Sequence, residues 1–178
     1  MPIREAINRL IAERALEMLP NRSVVVMRMT RDKFIELSML RQNLEGIATE
    51  EACRHVTPAL LKKLDKINTE LLQSIEQKNV ARSLERNQEF HFEIYKASNY
   101  RLLVPMIESL WLQAGPFMYF SLSMPGVQWD ASKHNDALEA MSRGDAVASR
   151  KAIEQDIRGT ADVLLRSIDF HTQVAGAF

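Results

Sequence analysis

Apolar residues recur along most of this chain at intervals of three and four, the rhythm of helices that each bury one face. Thr30, a residue type suited to an N-cap, precedes a long stripe of Phe34, Leu37, Leu40, Leu44 and Ile47. Thr57 and Pro58 mark a second start, with Leu60, Leu61, Leu64, Ile67 and Leu71 on one side as far as about Gln77. A third helix carries Leu84, Asn87, His91 and Ile94 and ends near Asn99. The run "RLLVPMIESLWLQAGPFMYFSL" follows, with Pro105 near its first turn and a kink expected at Gly115-Pro116. After a break over Ser123 to Gly126, a helix from Trp129 to Arg143 stops at Gly144, and Asp145 caps the last one, which reaches about Asp169.

The beginning of the chain has a different rhythm. Pro2 opens a helix with Ile3, Ala6, Ile7, Leu10 and Ile11 on one side, and two β-leaning runs then flank Pro20, Asn21 and Arg22 as a short hairpin. The tail "HTQVAGAF" has no pattern and is expected to fray. The prediction is an all-α protein, an antiparallel bundle of about six helices behind a small helix and hairpin.

Polar residues interrupt the apolar stripes at four places. Asn87 and His91 share a face, His134 lies among Ala131, Leu138 and Met141, and Asp156 lies among Ala152, Ile153, Ile157, Thr160 and Leu164. A polar side chain on a buried face must find a partner. Ligand-capable residues on three helices of one bundle are the means by which such bundles build internal metal sites. Two imidazoles and two oxygen donors suit a divalent transition metal and leave coordination positions open. The alternative is a set of hydrogen-bonded core residues, with Asp156 paired to His134 or to a nearby arginine. Spacing within each helix supports both, because convergence between helices is not written in the spacing.

A length of 178 residues fits one medium domain, or one domain with a small appendage. Lysine plus arginine and aspartate plus glutamate each number 23, so net charge points to neither nucleic acid nor membrane, although a basic surface can still be local. The single cysteine, Cys53, excludes an internal disulfide framework and reads as a small helix-face hydrophobe. No apolar run is long enough to span a bilayer, and Glu5 interrupts any signal-like start. The chain is therefore expected to be soluble and cytoplasmic. His55, at a helix end, and His171, in the tail, are expected to be solvated.

Two segments carry a resemblance. Pro2, Ile3, Arg4, Glu5, Ala6 and Ile7, followed by Pro20, Asn21, Arg22 and Ser23, resemble the recognition helix and wing tip of the GntR family of bacterial transcription regulators. The stretches "LSMLRQNLEGIATEEA", "FHFEIYKASN" and "SRGDAVASRKAIEQDIRGT" look like the all-helical ligand-sensing domain of the FadR-type subgroup. The resemblance implies a partial winged helix-turn-helix over 1–29, a helical sensing and dimerisation domain over 30–170, and a tail over 171–178.

Metal-binding members of the subgroup use an aspartate, a histidine four residues later and two further histidines on later helices. That pattern falls here on Asn87, His91, His134 and Asp156, with asparagine in place of the usual aspartate and aspartate in place of the last histidine. One carboxylate is retained, and the loss of an imidazole favours harder ions such as manganese over zinc or nickel. By the same resemblance Arg41 faces the sensor cavity, where a guanidinium beside an open metal position suits a small organic carboxylate. Arg41 can equally form a surface salt bridge to Glu45, and Tyr95 can line the cavity or simply pack in the core.

The implied function is a homodimeric, non-enzymatic transcription regulator that binds an operator through Arg4 and Arg22 and responds to a carboxylate effector. Two helices normally precede a recognition helix. Their absence from the sequence leads to the expectation of either a piece of a longer regulator or a chain without autonomous DNA binding. A metal-dependent hydrolase is an alternative, since an open metal site activates water, but Glu89 lies off the face of His91 and no other general base is evident. A stand-alone sensor and dimerisation module is another.

Overall fold

The structure, a computed structural model, describes residues 2–123 and 131–167, without the side chains of 117 and 120–122. The expected break after Ser123, the helix start at Trp129, the run on to Asp169 and the tail with His171 lie outside the described residues.

Helix α1 (Pro2–Ala12) leads into strands β1 (Leu16–Met18) and β2 (Val24–Val26), which pair antiparallel with Leu16 opposite Val26. The turn between them closes where Arg22 takes a positive φ of 66° and Asn21 Oδ1 accepts from the Ser23 backbone N–H at 3.0 Å. Helix α1 buries none of its residues, and Ile3 is 76% exposed.

The remainder is helical, as the periodicity predicts. Helices α2 (Arg31–Arg54), α3 (Pro58–Glu76), α4 (Val80–Ala97), α5 (Leu103–Ser123), α6 (Ser132–Ser142) and α7 (Ala146–Ser167) complete the described elements. Their starts follow local chemistry. The Thr30 hydroxyl accepts from Lys33 N, the Thr57 hydroxyl from Leu60 N, and Asp145 Oδ1 from Ala148 N, each satisfying a donor that the first turn leaves unpaired. Gly144, at φ 68°, ends the preceding turn in a conformation that other residues adopt only with strain. Helix α5 continues through Pro116.

Helix α2 packs against α4, α5 and α7, while α3 lies on α4 and α6, and α6 on α7. The main core joins Ala48, Leu64, Phe90, Ile94, Ile107 and Ile153 among others. A second, smaller cluster groups Met29, Phe34, Leu37, Ala114, Ala161 and Leu164.

One stripe departs from expectation. On α2, Leu40 and Ile47 are 38% and 39% exposed, whereas Phe34, Leu37, Arg41, Glu45, Ala48 and Ala52 are buried. The inward face keeps a three-four spacing, but two of its members are charged, and an apolar count assigns the stripe one position too far round the helix. Leu64 is fully buried in the main core, away from this polar face. Leu64→Ala should lower stability by about 2–5 kcal/mol, measured as a lower urea midpoint with an unchanged slope.

Candidate metal centre

Three helices bring His91, His134 and Asp156 to one point. His91 Nε2 lies 3.2 Å from His134 Nε2 and 3.3 Å from Asp156 Oδ2, and His134 Nε2 lies 3.7 Å from Asp156 Oδ1. The histidines are 1% exposed and Asp156 is 9% exposed. This is the convergence that spacing within separate helices left open.

The hydrogen bonds behind the rings place a proton on each Nδ1. Tyr95 donates its hydroxyl proton to Glu45, so its oxygen accepts from His91 Nδ1–H at 2.8 Å. Asn68 donates Nδ2–H to Asn135, which turns Asn68 Oδ1 toward His134 Nδ1–H at 3.1 Å. In their neutral form both imidazoles are thereby held with Nε2 as the acceptor, and each Nε2 faces the Asp156 carboxylate. Phe90 stacks on His134 at 4.1 Å between centroids and keeps that ring in plane. Asn87, one turn before His91, has a buried Oδ1 without a hydrogen-bond partner among the described residues. With the rings neutral, His91, His134 and Asp156 present converging donor atoms within 4.8 Å of one another, which is the donor set of a cation site.

Burial pushes the His134 imidazole below its usual range, and the attraction of Asp156 only partly offsets this. Burial raises the Asp156 carboxyl, but the charge of, and hydrogen bonds from, His134 and His91 in their protonated form outweigh it and hold the group well below the usual carboxylate range; a metal cation would take the place of those protons.

Arg41 and Glu45 resolve differently from either sequence alternative. The pair exists, with Arg41 Nε donating to Glu45 Oε1 at 2.6 Å, but it is not on the surface: Glu45 is 0% and Arg41 7% exposed. Burial would lower the guanidinium's affinity for its proton, and the Glu45 charge more than restores it. Tyr95 is pushed well above its ordinary value, by burial and then by Glu45, so it remains a phenol and a donor. The guanidinium also lies 4.6 Å from the centre of the Trp111 ring, and that ring is 5.4 Å from His91. Trp111 Nε1 is buried without an acceptor among the described residues.

Asn68, Glu45 as a buried partner, and Trp111 were not singled out by sequence reasoning. Asn68 was detectable, since it shares the face of Leu64 and Leu71 on α3 just as His91 shares a face with Ile94. Trp111 gave no signal because an aromatic on a helix reads as core. Arg4 and Arg22 are exposed, on the first turn of α1 and at the hairpin tip, and take no part in the buried cluster.

The sequence profile described as the FCD domain matches residues 36–159. The chain is 26% identical over 166 residues to the HTH-type transcriptional regulator McbR of Escherichia coli, spanning 92% of this chain and 75% of that protein. The solved structure of E. coli McbR/YncC superposes with a TM-score of 0.86 at 24% identity, covering 93% of this chain and 84% of the other. A GntR-family transcriptional regulator from Pseudomonas syringae superposes at 0.65 with 18% identity, covering 97% and 72% of the two chains.

Removal of Glu45 isolates a buried cation. Glu45→Ala should cost about 3–5 kcal/mol of stability, seen as a lower melting temperature and urea midpoint. A variant as stable as the parent would show that Arg41 reaches solvent when its partner is removed.

Proposed function

The chain belongs to the FCD-domain transcription regulators of the GntR family, and on that footing we propose that its helical domain senses a small organic carboxylate through a divalent metal. In this reading Asn87, His91, His134 and Asp156 hold the ion, Arg41 and Tyr95 belong to the effector site, and the 30–170 domain mediates homodimerisation. The first 29 residues contribute Arg4 and Arg22 to operator binding, with Arg4 on the exposed face of a recognition helix and Arg22 at a wing tip. Effector binding then biases the placement of two DNA-reading heads. A cytoplasmic setting follows from this role, and no helix among the described residues is long and apolar enough to cross a membrane.

The observation that carries the reading is the convergence of His91 Nε2, His134 Nε2 and the Asp156 carboxylate on one buried point, with each Nδ1 already bonded to a residue behind its ring. Donor atoms packed this closely in a dry interior need a positive charge among them, and a metal ion in place of protons supplies it. The buried, unpartnered Oδ1 of Asn87 adds a fourth donor of suitable type. Two nitrogen and two oxygen donors, one of them anionic, fit manganese better than a purely thiolate or imidazole set would. Such an ion supplies an electrophile for a carboxylate oxygen. The relatives are transcription regulators and not hydrolases.

Ion binding is read directly by thermal stabilisation of the purified chain with manganese, zinc or nickel. At a hundredfold excess over Kd the ion should stabilise the wild type by about 2.7 kcal/mol. His91→Ala and His134→Ala should each abolish that shift, and because burial lowers the His134 imidazole the shift should persist through neutral pH and shrink only in acid, as protons compete with the ion. Melting shifts that survive in both variants would place the ion elsewhere. Operator binding should appear as a gel shift that weakens steeply with salt, and Arg4→Ala and Arg22→Ala should each reduce it.

A further inference from the structure

We propose that Arg41, Ser38 and Thr160 form a carboxylate-binding site of their own, in a cavity between α2, α5 and α7 that the metal ligands do not line. The inference rests on the carboxylate reading above and gives an acid group a second place, apart from the open positions on the ion.

The cavity has a volume of about 20 Å³. Its wall includes Phe34, Leu37, Ala114, Ala161 and Leu164, and Ser38, Arg41 and Thr160 supply its polar part. His91, His134 and Asp156 are not among the lining residues. Position along the helices accounts for the separation. Thr160 lies one turn beyond Asp156 on α7, and Arg41 and Ser38 lie one and two turns before Glu45 on α2, each turn rising about 5.4 Å. The hydrogen bonds that run from Arg41 through Glu45 and Tyr95 to His91 connect the cavity with the cation cluster.

The three polar residues offer hydrogen-bond donors. Arg41 Nε donates to Glu45 Oε1 at 2.6 Å and Nη2 to Glu45 Oε2 at 3.4 Å, so one side of the guanidinium is engaged. Nη1 makes no hydrogen bond among the described residues, and Nη2 keeps its second proton, which leaves the Nη1/Nη2 edge open. Two parallel N–H groups on that edge match the two oxygens of a planar carboxylate. The Ser38 hydroxyl accepts from Gln42 Nε2 at 3.1 Å, so its own proton is left for another acceptor. The hydroxyl of the half-buried Thr160 adds a further donor. Arg41 and Ser38 are both buried, and donors withdrawn from water without acceptors are costly until an oxygen meets them. A space of this size holds about one or two water-sized groups, which suits the oxygens of one carboxylate, so the rest of a larger ligand lies outside it.

The ion acts on this site through its charge. The charged groups buried in the described interior, histidines aside, are Arg41, Glu45 and Asp156, a net negative set that opposes an entering anion. A divalent ion at the cluster reverses that sign without touching the ligand. Metal and carboxylate must then raise each other's affinity by the same factor.

Acetate titrated into the full chain at neutral pH and constant ionic strength, followed by amide NMR shifts, tests the proposal in the zinc-loaded state and after chelation. Acetate should saturate in both states, more tightly with zinc. Acetamide, a neutral analogue of the same shape, should bind at least about tenfold more weakly than acetate. Thr160→Val, which keeps the shape and removes the hydroxyl, and Ser38→Ala should each weaken acetate about fivefold in both states. The zinc melting shift measured without acetate should stay at its wild-type value in both variants. Should Ser38→Ala fail to fold, Thr160→Val decides. Wild-type acetate affinity in the variants, acetamide bound as tightly as acetate, or acetate binding in neither state overturns the site. Acetate binding that disappears on chelation also overturns it and leaves the acid on the ion. A chain without a zinc melting shift overturns the metal reading instead, and the metal-free titrations then decide whether the cavity takes a carboxylate.

Discussion

The fold is organised around acceptors that face one another where water has been removed. His91 and His134 each engage a residue behind the ring through Nδ1, Tyr95 in one case and Asn68 in the other, and so turn Nε2 toward Asp156. Those supporting residues come from α4 and α3, and the chain behind Tyr95 continues to Glu45 and Arg41 on α2. Packing and chemistry are therefore one network: the helices that bury the core also choose the tautomers. Displacing one of these supports would rotate a ring before it exposed much apolar surface.

The polar face of α2 has the same origin. A buried ion pair contributes little net stability compared with apolar packing of equal volume, so core stability alone does not account for Arg41 and Glu45. Their position accounts for them better. Glu45 anchors Tyr95, which orients His91, and Arg41 meets Trp111, which also touches His91. One carboxylate thus sets the proton placement on an imidazole through a single tyrosine.

The small apolar cluster beside this network contains Met29, in the segment between β2 and α2, together with the Phe34, Leu37, Ala114, Ala161 and Leu164 of the cavity wall. Met27 packs against it as well. The segment that leaves the hairpin is therefore held by the same side chains that any occupant of the cavity must touch. Helix α1 buries no residue, so this short apolar connection is the described contact that ties the hairpin end of the chain to the bundle. A close-packed cluster transmits a change of volume because it has little free space in which to absorb it.

Much was legible in the sequence, for local reasons. Periodicity located the helices, Thr30, Thr57 and Asp145 marked their starts, and Pro20-Asn21-Arg22 marked the turn, because capping and turn chemistry act within a few residues of chain. His91, His134 and Asp156 could be nominated because each interrupts an apolar stripe. Tertiary structure alone decided that the three meet within hydrogen-bonding distance, since spacing along one helix says nothing about the rotation of another. It also decided that Arg41 and Glu45 point inward in place of Leu40 and Ile47. Charged residues four apart look the same in sequence whether solvated or buried, and only the surrounding helices, which remove the water and supply Tyr95 and Trp111 as partners, distinguish the two.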